Sequence, residues 1–221
     1  MKRAYVGVFP ILAVLLCGCQ ANELESRCFP LLTVVDYEEA KEQVELGFFI
    51  PSPSGEKEGD EAKEKEKVVT GDSFEVAWEV YEQELNKFAD YNHMKVMIIG
   101  EEFIKQQEDY DKMLEVLQIK SEYPRNTYVC IVPDAWDFME IKSLAKDPGT
   151  YLEEFLENQS KNGAYELPTV GRLIDLKENK RGNVSVPKLR IEDEKVIWDG
   201  NYLIVPIEEN QEFLENLSNT E

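Results

Sequence analysis

The amino-acid sequence predicts an α+β fold, a mixed β-sheet with helices packed against it on one or both faces. Short apolar, β-branched runs alternate along the chain with segments whose apolar residues recur at helical spacing. The first two strand-like runs are close enough to pair as a hairpin, and the last ones alternate like an antiparallel meander. Strands and helices that alternate between hairpins favour a mixed sheet, but they do not define its strand order.

Two apolar runs open the folded part of the sequence. Residues 29–35 and 44–50 are separated by the acidic segment 36–42, so they predict a pair of strands. The stretch that follows begins with Pro and Ser, ends in alternating Glu and Lys, and has no apolar residue larger than Ala62. Because such a stretch cannot bury apolar surface, it predicts a flexible charged loop over residues 51–67 and not a domain boundary.

The next segment has the spacing of an amphipathic helix. Asp72 is suited to cap its amino terminus, with Glu75 three residues later. One helix face carries Phe74, Ala77, Trp78, Tyr81, Leu85 and Phe88. Residues 93–100 then predict a strand that ends in Gly. A second helix face follows at Tyr110, Met113, Leu114 and Leu117.

The second half continues the same alternation. Residues 127–132 predict a buried strand and residues 135–143 a helix. Thr150 with Glu153 forms a capping-box pattern at the start of another helix, and residues 170–176 predict a short one.

The end of the sequence predicts more strands and one last helix. Three strands are expected at 184–191, 196–198 and 202–205, with a turn at Asp199 and Gly200 between the last two. The tail from Glu208 contains Phe213, Leu214 and Leu217, which are enough for a closing helix.

The charge balance excludes one large class of functions. The chain has 24 basic and 45 acidic residues, a formal net charge of -21. Such a surface repels nucleic-acid phosphates and anionic lipid headgroups, so we expect no nucleic-acid partner. The acidic surplus by itself indicates only solubility.

The amino terminus has the pattern of a lipoprotein signal peptide over residues 1–18. A basic start precedes a mostly apolar run that is shorter than the roughly 20 residues of a spanning helix. Leu16-Cys17-Gly18-Cys19 then resembles the bacterial lipobox, although Ala or Ser is commoner where Cys17 stands. This predicts lipidation of Cys19, whose thiol takes a diacylglyceryl group, and two or three acyl chains anchor a protein durably. An ordinary cleaved signal and an uncleaved anchor are the alternatives.

After processing, two unmodified cysteines remain, Cys28 and Cys130. An exported protein permits them to form a disulfide. Each also lies in an apolar, strand-like run, where a free cysteine behaves as a small hydrophobic residue. The sequence leaves both possibilities open.

No catalytic or cofactor pattern stands out in the sequence. His93 is the single histidine, so a zinc site or a Ser-His-Asp triad would depend on it alone. Adjacent carboxylates such as Glu101 and Glu102 are expected by chance in so acidic a chain, and the three tryptophans have core-like neighbours. We therefore expect no catalytic residue, no cofactor and no metal, and we expect that the protein is not an enzyme.

Several segments, taken in order, resemble the Ger(x)C family, the lipoprotein C subunits of spore germinant receptors in endospore-forming Firmicutes. Most specific is residues 92–102, which is similar to the family pattern GHxxVxxIGEE, with Asn92 where Gly is usual. The other matching segments are residues 23–27, 30–32, 35–37, 71–74, 125–129, 149–159 and 186–189.

The resemblance covers residues 19–221 and implies the amino-terminal domain of that family, with the family's carboxy-terminal domain expected to be absent. It implies a non-catalytic lipoprotein on the outer face of the cytoplasmic membrane, which is the spore inner membrane. There it would act with the receptor's A and B membrane subunits in nutrient-triggered germination. The alternative hypothesis is a free-standing extracytoplasmic lipoprotein that binds a small ligand or an envelope component.

Overall fold

A computed structural model describes residues 26–51, 66–140, 147–163 and 165–206. Its strands are β1 (Arg27–Cys28), β2 (Leu32–Glu38), β3 (Gln43–Phe49), β4 (Glu66–Gly71), β5 (Phe88–Ala89), β6 (Val96–Gly100), β7 (Tyr128–Val132), β8 (Val184–Glu192) and β9 (Lys195–Ile204). Its helices are α1 (Phe74–Glu84), α2 (Glu101–Lys105), α3 (Gln107–Ile119), α4 (Ala135–Met139), α5 (Pro148–Gly163) and α6 (Val170–Asn179), and a 3-10 turn spans Tyr91–His93.

Seven strands form one mixed sheet in the order β4-β3-β2-β6-β7-β8-β9, which confirms the predicted α+β fold. The four central strands, β2, β6, β7 and β8, run parallel. The outer strands pair antiparallel, β3 and β4 on one side and β9 on the other. β1 and β5 make a separate two-stranded parallel sheet. The predicted first hairpin is confirmed as β2 and β3.

Two apolar cores cover the two faces of this sheet, because successive side chains of a buried strand point to opposite faces. The larger core takes Val35, Met97 and Ile99 from the strands and packs them under α1, α3 and α6. The smaller core takes residues such as Val34 and Ile98 and packs them under α4 and α5.

The start and the end of α1 differ from the prediction. Ser73, and not Asp72, caps this helix: its hydroxyl accepts the Val76 N–H at 3.3 Å. Leu85 and Phe88 lie beyond the helix because the chain turns extended at Leu85 to pair β5 with β1, and Phe88 is 54% exposed there.

Other predicted boundaries are wrong as well. The first strand, expected over residues 29–35, is β2 over Leu32–Glu38. The strand expected from residue 93 begins at Val96, because Asp90 caps the 3-10 turn that contains His93. The capping box at Thr150 does not form. The helix already starts at Pro148, a residue suited to a first helical position, and the Asp147 carboxylate accepts the Thr150 N–H at 3.0 Å.

The expected meander contains one strand fewer than predicted. Residues 195–204 form the single strand β9, in which Asp199 and Gly200 make a bulge instead of a turn. Pro187 faces Asn201 while Leu189 faces Trp198, so one extra residue lies on β9. Gly200 takes it up with a φ of 90°, a conformation that favours glycine.

Several predictions fall on residues outside the described ranges. They include the signal peptide with Cys19, most of the charged loop, and the closing helix from Glu208. The predicted loop over 51–67 ends earlier than expected, since Glu66 and Lys67 already belong to β4. No described helix is long and apolar enough to cross a membrane.

Candidate functional site

The parallel strands end together at one side of the sheet, the usual position of sites in folds with parallel strands. We call this side the carboxy-terminal edge and define it by Asp36, Gly100, Glu101, Asp134 and Lys188. The strand register sets Val35 beside Ile99 and Ile99 beside Ile131, so the residues that come next in each strand, such as Asp36 and Gly100, meet there.

Asp36 occupies the centre of the carboxy-terminal edge. It is only 5% exposed, although it is a carboxylic acid. One carboxylate oxygen accepts the Tyr37 N–H at 2.8 Å, and the other accepts the Ala135 N–H at 2.8 Å. Because Ala135 is the first residue of α4, Asp36 ties the end of β2 to a helix amino terminus, where negative charge is favourable.

Because Gly100 has no side chain, the carboxyl group of Asp36 can occupy the space beside it. A Cβ built on Gly100 would lie 2.0 Å to 2.3 Å from the three carboxyl atoms of Asp36. Any side chain at this position would therefore displace the carboxylate from its two amide donors. This contact gives a physical reason for a glycine between the apolar strand and the two glutamates that follow it.

Burial and electrostatics at this edge act on two carboxyl groups. Burial raises the pKa of Asp36, while the backbone donors of Ala135 and Tyr37 act against that rise. Burial also raises the pKa of Glu45, which pairs with Asp36 across β2 and β3. The nearby indole of Trp136 acts against this rise in the pKa of Glu45. The indole N–H nevertheless forms no hydrogen bond with any described residue.

The two glutamates that follow Gly100 have basic partners, whereas the Asp134 carboxylate accepts the backbone N–H groups of Trp136 and Asp137. Glu101 forms an ion pair with Lys188 on β8, without meeting hydrogen-bond geometry. Glu102 forms an ion pair with Lys105 at 2.5 Å, and this bond lowers the pKa of Glu102. The edge is thus held by internal hydrogen bonds and ion pairs, and no group of three or more metal-ligating side chains occurs among the described residues.

His93 lies away from the carboxy-terminal edge. It belongs to the 3-10 turn before β6, at the opposite side of the sheet, and its ring meets Phe29 edge-on with centroids 5.4 Å apart. Because the strand β6 separates His93 from the buried Asp36, these two residues cannot act together as a general base and its orienting acid.

The tryptophans and cysteines serve mainly as core residues. Trp78 is buried among Phe48 and Tyr91, with ring centroids about 5 Å away, and its indole donates to Glu82. Trp136 and Trp198 are partly buried against the smaller core. Cys28 and Cys130 are both free, buried in different cores. The pairing that the sequence left open therefore does not occur in this structure.

A second feature is a groove between α3 and α6, which residues 204–206 also line. Its volume is about 350 Å³. Leu114, Leu173 and Leu176 supply apolar walls. Tyr110 also lines the groove, and its buried hydroxyl has no hydrogen-bond partner in the described part of the chain. Sequence analysis missed the groove because two helices, distant in sequence, form it together.

Fold and site together define an acidic α+β domain whose polar edge residues bind one another. The family model described as the spore germination protein N-terminal domain matches residues 20–191. The chain belongs to this family, which confirms the resemblance to the germinant receptor C subunits. No curated protein and no solved structure matches the chain.

Proposed function

We propose that this protein is a non-catalytic lipoprotein of a spore germinant receptor that contributes to nutrient-triggered germination. The observation that carries the proposal is the family match over residues 20–191, which spans nearly the whole described domain. The internal pairing of the polar residues at the carboxy-terminal edge supports a structural or binding role over catalysis. The receptor's A and B membrane subunits are the proposed partners.

Lipid on Cys19 would hold the domain at the outer face of the cytoplasmic membrane, which is the spore inner membrane. The lipobox-like sequence Leu16-Cys17-Gly18-Cys19 supports this anchor. The anchor begins only seven residues before Ser26, the first described residue, so it would keep the domain beside membrane-embedded subunits.

Gene deletion and complementation test the proposal. Spores without the gene should germinate more slowly, or not at all, with at least one nutrient. A Cys19→Ala variant should fail to restore germination because it lacks the thiol that takes the lipid. Cys17→Ala is the matched control: it brings the sequence closer to the usual lipobox and should restore germination fully. Unchanged germination of the deletion strain with every nutrient, in the absence of a redundant paralogue, would contradict the proposal.

The groove between α3 and α6 favours the second candidate, a free-standing lipoprotein that binds a small ligand. Its volume of about 350 Å³ lies within the range of small-molecule sites. Anilinonaphthalene sulfonate, a fluorescent probe for apolar sites, should then bind the wild-type protein but not a folded Leu176→Trp variant, in which the indole fills the groove. Equal fluorescence with both proteins would count against this candidate. Neighbouring genes for A and B subunits would favour the receptor.

A further inference from the structure

The opposite side of the sheet has a different chemical character. β1 and β5 lie just ahead of β2 and β6, whose first residues, Leu32 and Val96, are paired. We call this side the amino-terminal edge and define it by Arg27, Phe29, Lys87, Phe88 and His93. The described chain begins at this edge, with Ser26.

Basic and aromatic side chains are exposed at the amino-terminal edge. Phe88 is 54% exposed, and the Arg27 guanidinium lies 5.9 Å from the centre of its ring. Lys87 and His93 are exposed as well. Asp90, an acid at this edge, binds Arg27 at 3.0 Å.

This combination suits the surface of a phospholipid bilayer. Aromatic rings are favourable at the boundary between headgroups and acyl chains, and basic side chains are attracted to anionic headgroups. The net charge of -21 means that the rest of the domain is repelled by the same headgroups. Attraction at one edge and repulsion elsewhere would orient the domain on a membrane.

The position of the proposed anchor favours the same orientation. Six residues lie between Cys19 and Ser26, and the seven residue-to-residue steps that join these two span at most about 25 Å. β2, with seven residues, is itself about 23 Å long. The carboxy-terminal edge would therefore reach the bilayer only if the connecting residues were stretched almost completely.

We infer that the amino-terminal edge faces the membrane, with Phe88 and Lys87 in contact with phospholipid headgroups, and that the carboxy-terminal edge points away. This orientation rests on the proposed lipid anchor at Cys19. It leaves Asp36, Glu101 and their neighbours at the far end of the domain. The inferred partner of this membrane-facing surface is a bilayer that contains anionic lipid.

Distance-dependent quenching tests the orientation. The lipidated protein is placed in vesicles of phosphatidylethanolamine and phosphatidylglycerol that carry nitroxide lipids, with one fluorophore on Lys87→Cys or on Glu102→Cys. The native thiols of Cys28 and Cys130 should not react, because both are buried and burial raises the pKa of each. We expect quenching at position 87 to exceed that at position 102 several-fold.

The outcomes separate the orientation from the anchor. A mass spectrum of the purified protein shows whether Cys19 carries lipid. Lipidated protein that is quenched equally at both positions, or more strongly at position 102, would overturn the orientation alone. Protein without lipid would contradict the anchor and, with it, the inferred orientation.

Discussion

The two edges of the parallel strands differ in how far their characteristic side chains are buried. At the carboxy-terminal edge a carboxylate is almost fully buried and is held by two backbone amides, whereas at the amino-terminal edge an aromatic ring is more than half exposed. Buried polar groups must keep their partners, but an exposed phenylalanine contributes little to folding. We therefore expect substitutions at the first edge to affect stability and substitutions at the second edge to affect surface binding.

The largest effect is expected for Gly100→Ala. The new methyl group would lie about 2 Å from the Asp36 carboxyl group, so Asp36 would have to leave the Ala135 and Tyr37 amides. Overpacking combined with two lost hydrogen bonds should lower the free energy of unfolding by about 3 kcal/mol or more. Denaturant-induced unfolding, followed by circular dichroism, measures this loss.

A double-mutant cycle provides the control for Gly100→Ala. In an Asp36→Ala background the carboxyl group is gone, so the same substitution should cost much less. If Gly100→Ala were equally destabilising in both backgrounds, its cost would come from the strand itself, and the proposed contact with Asp36 would be wrong.

A smaller effect of opposite sign is expected for Glu45→Gln. Burial raises the pKa of Glu45 above its ordinary value of 4.5, so the ionised side chain destabilises the folded state at neutral pH. Glutamine removes that charge, and the variant should be more stable than the wild type at pH 7 by less than about 1 kcal/mol.

The pH dependence checks the cause of the Glu45→Gln effect. The folded wild type binds a proton more tightly than the unfolded chain, so its stability should increase as the pH falls through the raised pKa towards 4.5. The advantage of the variant should then disappear over that range. An advantage of the same size at pH 7 and at pH 4.5 would point to packing instead of charge.

The sequence predicted the apolar elements of the fold better than its polar contacts. Periodic apolar residues located β2, β3, β6, β7, α3 and α6, because burial acts directly on such patterns. Where a single residue sets a boundary, as at the Ser73 cap and the Gly200 bulge, the prediction was wrong. Neighbouring residues offered equally suitable caps or turns.

The contact between Asp36 and Gly100 shows what local patterns cannot supply. Both residues were visible in the sequence, one directly after an apolar run and the other at the end of a strand. Their contact depends on β2 lying beside β6, and the strand order was not predictable from either segment. The amino-terminal edge was missed for the same reason, because β1 and β5 are brought together by the tertiary fold.

Phe88→Ser provides the most specific test of the difference between the edges, although its expected effect on folding is the smallest. The side chain is 54% exposed, so its loss should change the free energy of unfolding by no more than about 0.5 kcal/mol. The same substitution removes the aromatic ring that the inferred orientation places at the bilayer. In lipidated protein we therefore expect weaker nitroxide quenching at position 87 but an unchanged unfolding transition. Val76→Ser is the matched control, since Val76 is exposed in the first turn of α1, on the side of the sheet opposite to the amino-terminal edge. If both variants altered the quenching equally, the inference that the amino-terminal edge contacts the membrane would be wrong. The two edges would then differ only in their effect on stability.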